Sequence, residues 1–276
     1  MSIKIVDTTL RDGEQKAGVA LSINDKVEIA KIISDMGIFQ IEAGIAAMGG
    51  DEKKSLEKIV ELNLNSKISS WNRMSTKDIQ HSIDCGVDIV HISIPSSDIQ
   101  IKSKLAKDRL WVIDNIKKSV SYAKEKDCEV TVGLEDASRA DMDFIIELCR
   151  IVSDLGVKRV RYADTVGILY PRNIFKQVTK IREQVPVEIE IHVHNDLGMA
   201  VANSVASISA GAEYIDCTIG GIGERAGNCN YTKFIEVLEG FEQIKVSKED
   251  RANLYKLEEY IMNIIKYGAV HQSCLV

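Results

Sequence analysis

The sequence predicts an α/β fold of the (β/α)8 (TIM) barrel type, followed by one extra C-terminal helix. Eight short β-rich stretches alternate with amphipathic stretches of helical period along most of the 276 residues. Many of the β-rich stretches are almost continuously apolar, as expected for parallel strands covered on both faces. Glycine recurs just after a helical stretch and before the next strand, where a helix end favours a left-handed residue, at Gly37, Gly86, Gly156 and Gly211.

The individual elements follow from residue type and spacing. The predicted strands are rich in Val and Ile and bounded by turn residues, at 3–7, 38–43, 67–71, 88–94, 129–134, 159–163, 187–193 and 214–219. The predicted helices carry apolar residues three and four positions apart, at 22–36, 51–64, 75–85, 109–126, 140–155, 171–184, 198–210 and 230–241. A doubly wound open sheet is the alternative, but no Gly-rich phosphate turn follows the first strand. Eight repeated units therefore favour the barrel.

The C-terminal region differs from the repeated units. Residues 1–246 are predicted to form the catalytic barrel, and residues 247–276 a helical extension. A stripe of apolar side chains at helical spacing marks this extension, namely Leu254, Leu257, Ile261, Ile264 and Ile265. Such a stripe either packs on the barrel of its own chain or forms an interface with a partner, and the sequence leaves both open.

Composition excludes several classes of protein. A net charge of −6 without a basic block argues against a nucleic-acid partner. We see no signal peptide and no apolar run of transmembrane length, so we expect a cytoplasmic protein without a membrane partner. The six cysteines are scattered without a CxxC pair, which fits a reducing compartment.

Two histidines one residue apart end the seventh predicted strand. Alternate residues of a strand point to the same side, so His192 and His194 project together. Asp12 follows the first strand, and the C-terminal ends of barrel strands meet at one face. An Asp and two His residues suit a divalent metal and leave positions open for substrate. Mg²⁺, Mn²⁺, Zn²⁺ and Co²⁺ are not distinguished by these residue types.

Other strand ends carry groups suited to catalysis. Arg11 lies next to Asp12 and can donate to an oxygen on which negative charge develops. Glu135 ends the fifth strand, across the barrel, and can transfer a proton. Asn228 ends the Gly-rich loop after the eighth strand, where it is either a fourth metal ligand or the cap of the next helix. Strand-end loops are commonly polar, but that tendency explains Ser and Asn better than an Arg-Asp pair and a His pair.

Three motifs in this order resemble those of acyl-CoA-condensing metalloenzymes, the family of isopropylmalate, citramalate and homocitrate synthases. They are DTTLRDGEQ at 7–15, HVHNDLG at 192–198 and GIGERAGN at 221–228. The stretches 94–98, 135–141 and 163–167 look like those of homocitrate synthases of the nitrogen-fixation type.

The resemblance implies a divalent metal and a Claisen condensation of acetyl-CoA with a 2-oxo acid, most simply 2-oxoglutarate. It implies that Asp12, His192 and His194 hold the metal, and that Glu135 belongs to the acid/base machinery. Arg11 is then expected to bind substrate and stabilise the developing negative charge. Gln15 and Thr165 are the further substrate-binding residues that the motifs imply.

Two departures qualify the resemblance. The full-length enzymes continue beyond the barrel into subdomains that supply a catalytic His to a neighbouring chain, so we expect a homo-oligomer or a complex with a second subunit. His271 lies in the final segment, but no motif marks it as that residue. Thr131 stands where lysine-pathway enzymes carry an Arg for the distal carboxylate, and Arg73 or Arg139 is then the candidate replacement.

Two other functions remain open at this point. A lyase of the hydroxymethylglutaryl-CoA type is one, although such enzymes use a Cys-Pro in the last loop where this chain has Arg225 and Ala226. A non-catalytic subunit that binds metal and oxo acid is the other. Turnover measured for the chain alone and with a partner would separate them.

Overall fold

The computed structural model describes residues 3–241 and 247–268, and its eight strands form one closed parallel barrel in sequence order. The strands are β1 (Lys4–Asp7), β2 (Gln40–Gly44), β3 (Lys67–Arg73), β4 (Ile89–Pro95), β5 (Glu129–Glu135), β6 (Arg159–Asp164), β7 (Glu188–Val193) and β8 (Tyr214–Cys217). The barrel closes where β1 pairs with β8, from Lys4 opposite Tyr214 to Asp7 opposite Cys217. The predicted (β/α)8 barrel is therefore confirmed, and the open sheet is excluded.

Helices surround the barrel and follow each strand. They are α1 (Ile23–Asp35), α2 (Gly50–Glu61), α3 (Thr76–Asp84), α4 (Asp98–Leu105), α5 (Arg109–Lys124), α6 (Met142–Asp154), α7 (Pro171–Gln184), α8 (Ala200–Ser209), α9 (Tyr231–Gly240) and α10 (Lys248–Tyr267). Local sequence explains their starts, since Ser22 and Asp25 form a reciprocal capping box at α1. Pro171 occupies the first position of α7, where its missing N–H costs nothing.

The apolar core lies between the strands and the helices, whereas the barrel interior is strongly polar. Outward-facing strand residues such as Ile41, Val132 and Ile191 are fully buried against helices. The inward positions of adjacent strands instead carry charges, with Arg161 opposite Glu190 in the β6–β7 register. Barrels of this type are usually filled by Val, Ile and Leu. A charged interior therefore suggests that the strands themselves support a polar site.

Helix α4 was missed by the sequence prediction. It lies in the loop between β4 and α5, where Ser97 caps it by accepting a hydrogen bond from the Gln100 amide. It has only three apolar residues, and although Ile101 and Leu105 are four apart, the spacing of two between Ile99 and Ile101 is that of a strand. Arg109, the first residue of α5, stabilises this loop by donating two hydrogen bonds of 2.8 and 2.9 Å to the carboxylate of Asp98. Eight residues with one apolar pair at helical spacing do not distinguish a helix from a loop.

Helix α10 packs on its own barrel. Ile261 and Ile264 of the predicted stripe are buried at 0% and 1% exposure and join the apolar core. Leu254 and Ile265 are partly buried against the same core. This decides, for these four residues, the choice that the sequence left open. The boundary between 246 and 247 adjoins residues 242–246, which lie outside the described ranges, so the separate extension 247–276 stays a prediction. Within the described residues, no helix combines the length and apolar character needed to cross a lipid bilayer.

Candidate active site and metal centre

A cavity of about 430 Å³ opens at the carboxyl ends of the strands. Seven of the eight residues predicted for the site line it, namely Arg11, Asp12, Gln15, Glu135, Thr165, His192 and His194. Asn228, the remaining predicted residue, does not line this cavity but borders a neighbouring one. The carboxyl face is where barrels of this class place their catalytic groups.

The structure brings the three predicted metal ligands together. The Nε2 atoms of His192 and His194 lie 3.2 Å apart, and the Oδ2 atom of Asp12 lies 3.5 and 3.6 Å from them. Ligand atoms about 2.1 Å from one ion are separated by roughly 3.0 Å in an octahedron and roughly 3.4 Å in a tetrahedron. All three residues are buried. The donor atoms are therefore spaced as the ligands of a single ion would be.

A carboxylate behind His192 fixes that ring. Asp216 on β8 lies 2.9 Å from the Nδ1 atom of His192, which leaves Nε2 free to face the cluster. Carboxylate–histidine pairs of this kind orient metal-bound imidazoles and set their tautomer. Burial alone would lower the pKa of His192, but Asp12 and Asp216 outweigh it and raise that pKa to about 9. Two carboxylates therefore flank this imidazole, an arrangement that favours a bound cation.

Asn228 supports Asp12 and does not cap a helix. Its Nδ2 donates to Asp12 Oδ1 at 2.7 Å, while its own Oδ1 is buried without a hydrogen-bond partner. Helix α9 is capped instead by Asn230, whose side chain accepts from the Lys233 amide. The capping alternative for Asn228 is therefore wrong. The loop approaches so closely only because residue 223 is glycine, since a Cβ there would lie 2.0 Å from Asn228 Nδ2.

Arg11 is held between two buried carboxylates. Its Nε donates to Glu42 Oε1 at 2.5 Å, and its NH1 donates to Asp12 Oδ2 at 2.9 Å. The pKa of Glu42 is lowered well below its usual range because Arg11 and Arg161 together outweigh the effect of burial. Arg11 therefore contributes to the stability of the site as well as presenting donors to the cavity, which the sequence did not indicate.

Glu135 faces Asp12, His192 and His194 from the opposite side of the cavity. Its Oε1 accepts from Ser93 at 2.8 Å, and its Oε2 pairs with Lys104 of α4 at 2.7 Å. Thr165 lies at the end of β6, where its hydroxyl accepts from the amide of Asp136 at 2.8 Å. Gln15 is exposed at the mouth of the cavity. The predicted acid/base and substrate-contacting residues therefore share one cavity.

The structure places neither candidate replacement for the missing distal arginine in the cavity. Arg73 binds Asp78 at 2.6 and 3.1 Å, and its side chain is 71% exposed. Arg139 binds both oxygens of Asp136 at 2.8 and 2.7 Å. Neither lines the cavity. Thr131 bonds the Nδ1 atom of His91 at 2.8 Å, deep in the barrel. His271 lies outside the described residues.

Sequence reasoning missed a group of charged residues beneath the site. Arg161, Glu190 and Asp216 are almost fully buried, and each is placed inside a strand and not at its end. A usable signal was present, because each is a charged residue flanked by apolar neighbours in a predicted strand. Lys104 was missed together with α4.

Comparison with known proteins gives consistent matches. A family model described as HMGL-like matches residues 2–261. The homocitrate synthase subunit alpha of Clostridium pasteurianum is 63% identical over 266 residues, which cover 96% of this chain and 99% of that protein. The 2-isopropylmalate synthase 2 of Caldanaerobacter subterraneus subsp. tengcongensis is 45% identical over 259 residues, covering 94% of this chain and 67% of that one.

A solved structure, the HMG-CoA lyase from Brucella melitensis, superimposes with a TM-score of 0.84 at 17% identity, covering 96% of this chain and 99% of that chain. Such a likeness concerns the fold. This chain spans only about half to two thirds of several other matched relatives, while it spans almost all of the clostridial subunit.

Proposed function

This chain belongs to the HMGL-like family, and we propose that it is the catalytic barrel of a homocitrate synthase, a transferase that condenses acetyl-CoA with 2-oxoglutarate. One observation carries the proposal. A single cavity contains the side chains of Asp12, His192 and His194, with the largely buried Arg11 beside them and the carboxylate of Glu135 across from them. These are the parts that a metal-assisted Claisen condensation requires.

The residues present fit a divalent ion. Two imidazoles and one carboxylate form a mixed donor set suited to Zn²⁺, Mn²⁺ or Co²⁺, and Mg²⁺ is compatible with the carboxylate. Asn228 contacts Asp12 through its Nδ2 atom, and its own Oδ1 is buried without a hydrogen-bond partner. This neutral oxygen is the candidate fourth ligand. When bound, the ion supplies Lewis-acid polarisation of the keto oxygen.

The side chains that line the cavity have separate roles in binding substrate and moving protons. Arg11 donates hydrogen bonds to the oxygen on which negative charge develops, and its two carboxylate partners hold it ready to do so. Glu135, oriented by Ser93 and Lys104, takes part in moving the proton of the acetyl methyl group. Thr165 and Gln15 contact the oxo acid from the rim of the cavity.

The last loop favours a synthase over a lyase. Residues 220–228 of this loop include no cysteine. At the tip of the loop, Arg225 adopts a left-handed conformation and binds Asp196. Cys229 lies beyond Asn228 and is fully buried. A reactive cysteine must be accessible as a thiolate. Within the described residues, the loop therefore lacks the group on which a lyase of the hydroxymethylglutaryl-CoA type would rely.

A second subunit is also part of the proposal. The relative that this chain covers almost completely is named as a subunit alpha, which fits a split enzyme. We expect a second subunit to raise the activity of the chain by covering the cavity, because a cavity open to water supports this chemistry poorly. The cytoplasmic location expected from the sequence stays a prediction.

The test is release of free thiol from acetyl-CoA in the presence of 2-oxoglutarate and Mn²⁺ or Mg²⁺, with the product identified by mass. The chain is assayed alone and with a candidate beta subunit, and pyruvate and 2-oxoisovalerate serve as competing oxo acids. Thiol release that depends on 2-oxoglutarate supports the proposal. Cleavage of hydroxymethylglutaryl-CoA without condensation would replace it with the lyase assignment.

A further inference from the structure

Arg161 of β6 forms the floor of the cavity and is almost completely buried, with 3% of its side chain exposed. Its NH2 donates to Glu42 Oε2 at 2.8 Å, and its Nε lies 3.0 Å from Asp216 Oδ2. A further bond joins it to Glu190. One guanidinium therefore contacts three carboxylates that come from three different strands, β2, β7 and β8.

Two of those carboxylates each hold a functional group. Glu42 accepts from Arg11 Nε at 2.5 Å through Oε1. Asp216 contacts His192 Nδ1 at 2.9 Å through the same Oδ2 atom that faces Arg161. Among the described residues, Arg161 alone pairs with both Glu42 and Asp216 in the ion pairs of this structure.

We call the contacts of Arg161 with Glu42 and Asp216 the junction. The shape of the guanidinium makes this junction rigid. Its planar fork fixes the angle between two bound carboxylates, whereas a lysine ammonium is a single point on a flexible stem. Burial strengthens the effect, because removing one partner of a buried charge pair leaves the other uncompensated. Removing Arg161 would therefore leave Glu42 and Asp216 less firmly held. The positions of their partners, Arg11 and His192, would then change at the same time.

Building on the proposed function, on which this assignment rests, we infer that Arg161 is a positioning residue that sets both the metal ligand His192 and the substrate-binding Arg11. It acts through Asp216 on the first and through Glu42 on the second. The metal site and the oxo-acid site are thereby built on one buried cation. Neither the sequence motifs nor the strand-end pattern marks this residue.

The chain offers a matched control in Arg159. It lies two residues earlier on the same strand and is nearly as buried, with 4% of its side chain exposed. Its guanidinium pairs with Glu190 at 3.1 Å and donates to Gln40 at 2.6 Å. It is not paired with Glu42 or Asp216 in the described ion pairs. Arg159→Met and Arg161→Met each remove one buried arginine, but only the second breaks the junction.

The experiment measures two dissociation constants in wild type and both variants. Mn²⁺ or Zn²⁺ is titrated against a chelating dye, and 2-oxoglutarate is titrated by calorimetry at saturating metal. We expect Arg161→Met to weaken the metal by about 10- to 100-fold, as changes behind metal ligands commonly do. Its 2-oxoglutarate affinity should fall about tenfold or more. Arg159→Met should change each dissociation constant by no more than about threefold, even if its melting temperature falls as much as that of Arg161→Met. Equal losses in the two variants would overturn the assignment.

Lysine and single-branch variants keep the test decisive if Arg161→Met does not fold. Arg161→Lys should recover at most one of the two affinities, because one ammonium cannot hold both carboxylates in place. Glu42→Gln should weaken 2-oxoglutarate binding and also shift the metal affinity, both through Arg161 and through the contact of Arg11 with Asp12. A metal affinity unchanged by Glu42→Gln would therefore refute the shared junction. A wild-type chain that binds metal but not 2-oxoglutarate would instead refute the proposed function. The dye titration would then still test whether Arg161 positions His192 through Asp216.

Discussion

His91 gives a sharp prediction about acid stability. This residue of β4 is 1% exposed, and its Nδ1 bonds Thr131 at 2.8 Å. The pKa of His91 is lowered from 6.5 to about 3, first by burial and then by the charge of Arg161, with Glu42 and Glu190 opposing and Arg11 adding to the decrease. The folded protein therefore keeps this imidazole neutral at pH values where the unfolded chain takes up a proton. We consider the change His91→Asn, which retains a polar group near Thr131 and cannot titrate.

The sign and size follow from the two pKa values. Above pH 6.5 the imidazole is neutral in both states, so it contributes no pH dependence to the free energy of unfolding. Below that pH only the unfolded state binds the proton, and stability falls by about 1.4 kcal/mol per pH unit until the folded pKa is reached. At about pH 5 the loss is roughly 2 kcal/mol. The variant lacks this loss, so the cost of the mutation should be about 2 kcal/mol smaller at pH 5 than at pH 8.

The assay is urea unfolding of both proteins at the two pH values, with a chelator present so that metal binding does not vary with pH. Comparing wild type with variant cancels the contributions of other titrating groups, including Asp7, whose pKa burial raises to about 7. Slopes of free energy against urea must agree between the proteins for the difference to be meaningful. An equal cost at both pH values would show that His91 accepts a proton in the folded state, and would refute the reasoning.

Three further predictions concern the site. Arg11→Ala should lower turnover by about 100- to 1000-fold in the thiol assay, and should also lower the melting temperature because Glu42 loses one of its two arginine partners; full turnover would remove Arg11 from the chemistry. Glu135→Gln keeps the size of the side chain and loses its ion pair with Lys104, which is half exposed, so melting should change little while turnover falls about 10²- to 10⁴-fold; unaffected turnover would exclude a proton-transfer role. Gly223→Ala should lose metal affinity because its Cβ would lie 2.0 Å from Asn228 Nδ2. Gly240→Ala, with no atom within 4 Å of the added Cβ, is the control, and equal metal affinity in both variants would contradict the packing account.

The barrel was predictable because its information is local and repeated. Continuous apolar strands, helical spacing and glycine helix ends recur in each unit, so a single misjudged boundary does not change the fold. Asp12, His192 and His194 were predictable for a related reason, since a barrel brings all strand ends to one face. Boundaries moved only slightly, as for the helix predicted at 51–64 and found at Gly50–Glu61.

The sequence marks the buried charges behind those three residues, but how these charges pair was not predictable. Glu42, Arg161 and Asp216 come from three strands, and their pairing depends on which inward positions reach the same depth in the barrel. That depth follows from the register between strands, which no local pattern encodes. Asn228 illustrates the same limit, because its position in sequence suited a helix cap equally well. Only the close approach allowed by Gly223 directs its side chain to Asp12.

The metal content of the purified chain tests the central claim most directly. Wild type and the His192→Ala/His194→Ala double variant are dialysed against a trace of Mn²⁺ or Zn²⁺, and metal per chain is measured by plasma emission, with circular dichroism confirming that both are folded. We predict about one ion per chain in wild type and almost none in the double variant, because two of the three clustered ligand residues are then removed. Equal metal content in the two folded proteins would contradict a metal centre at Asp12, His192 and His194.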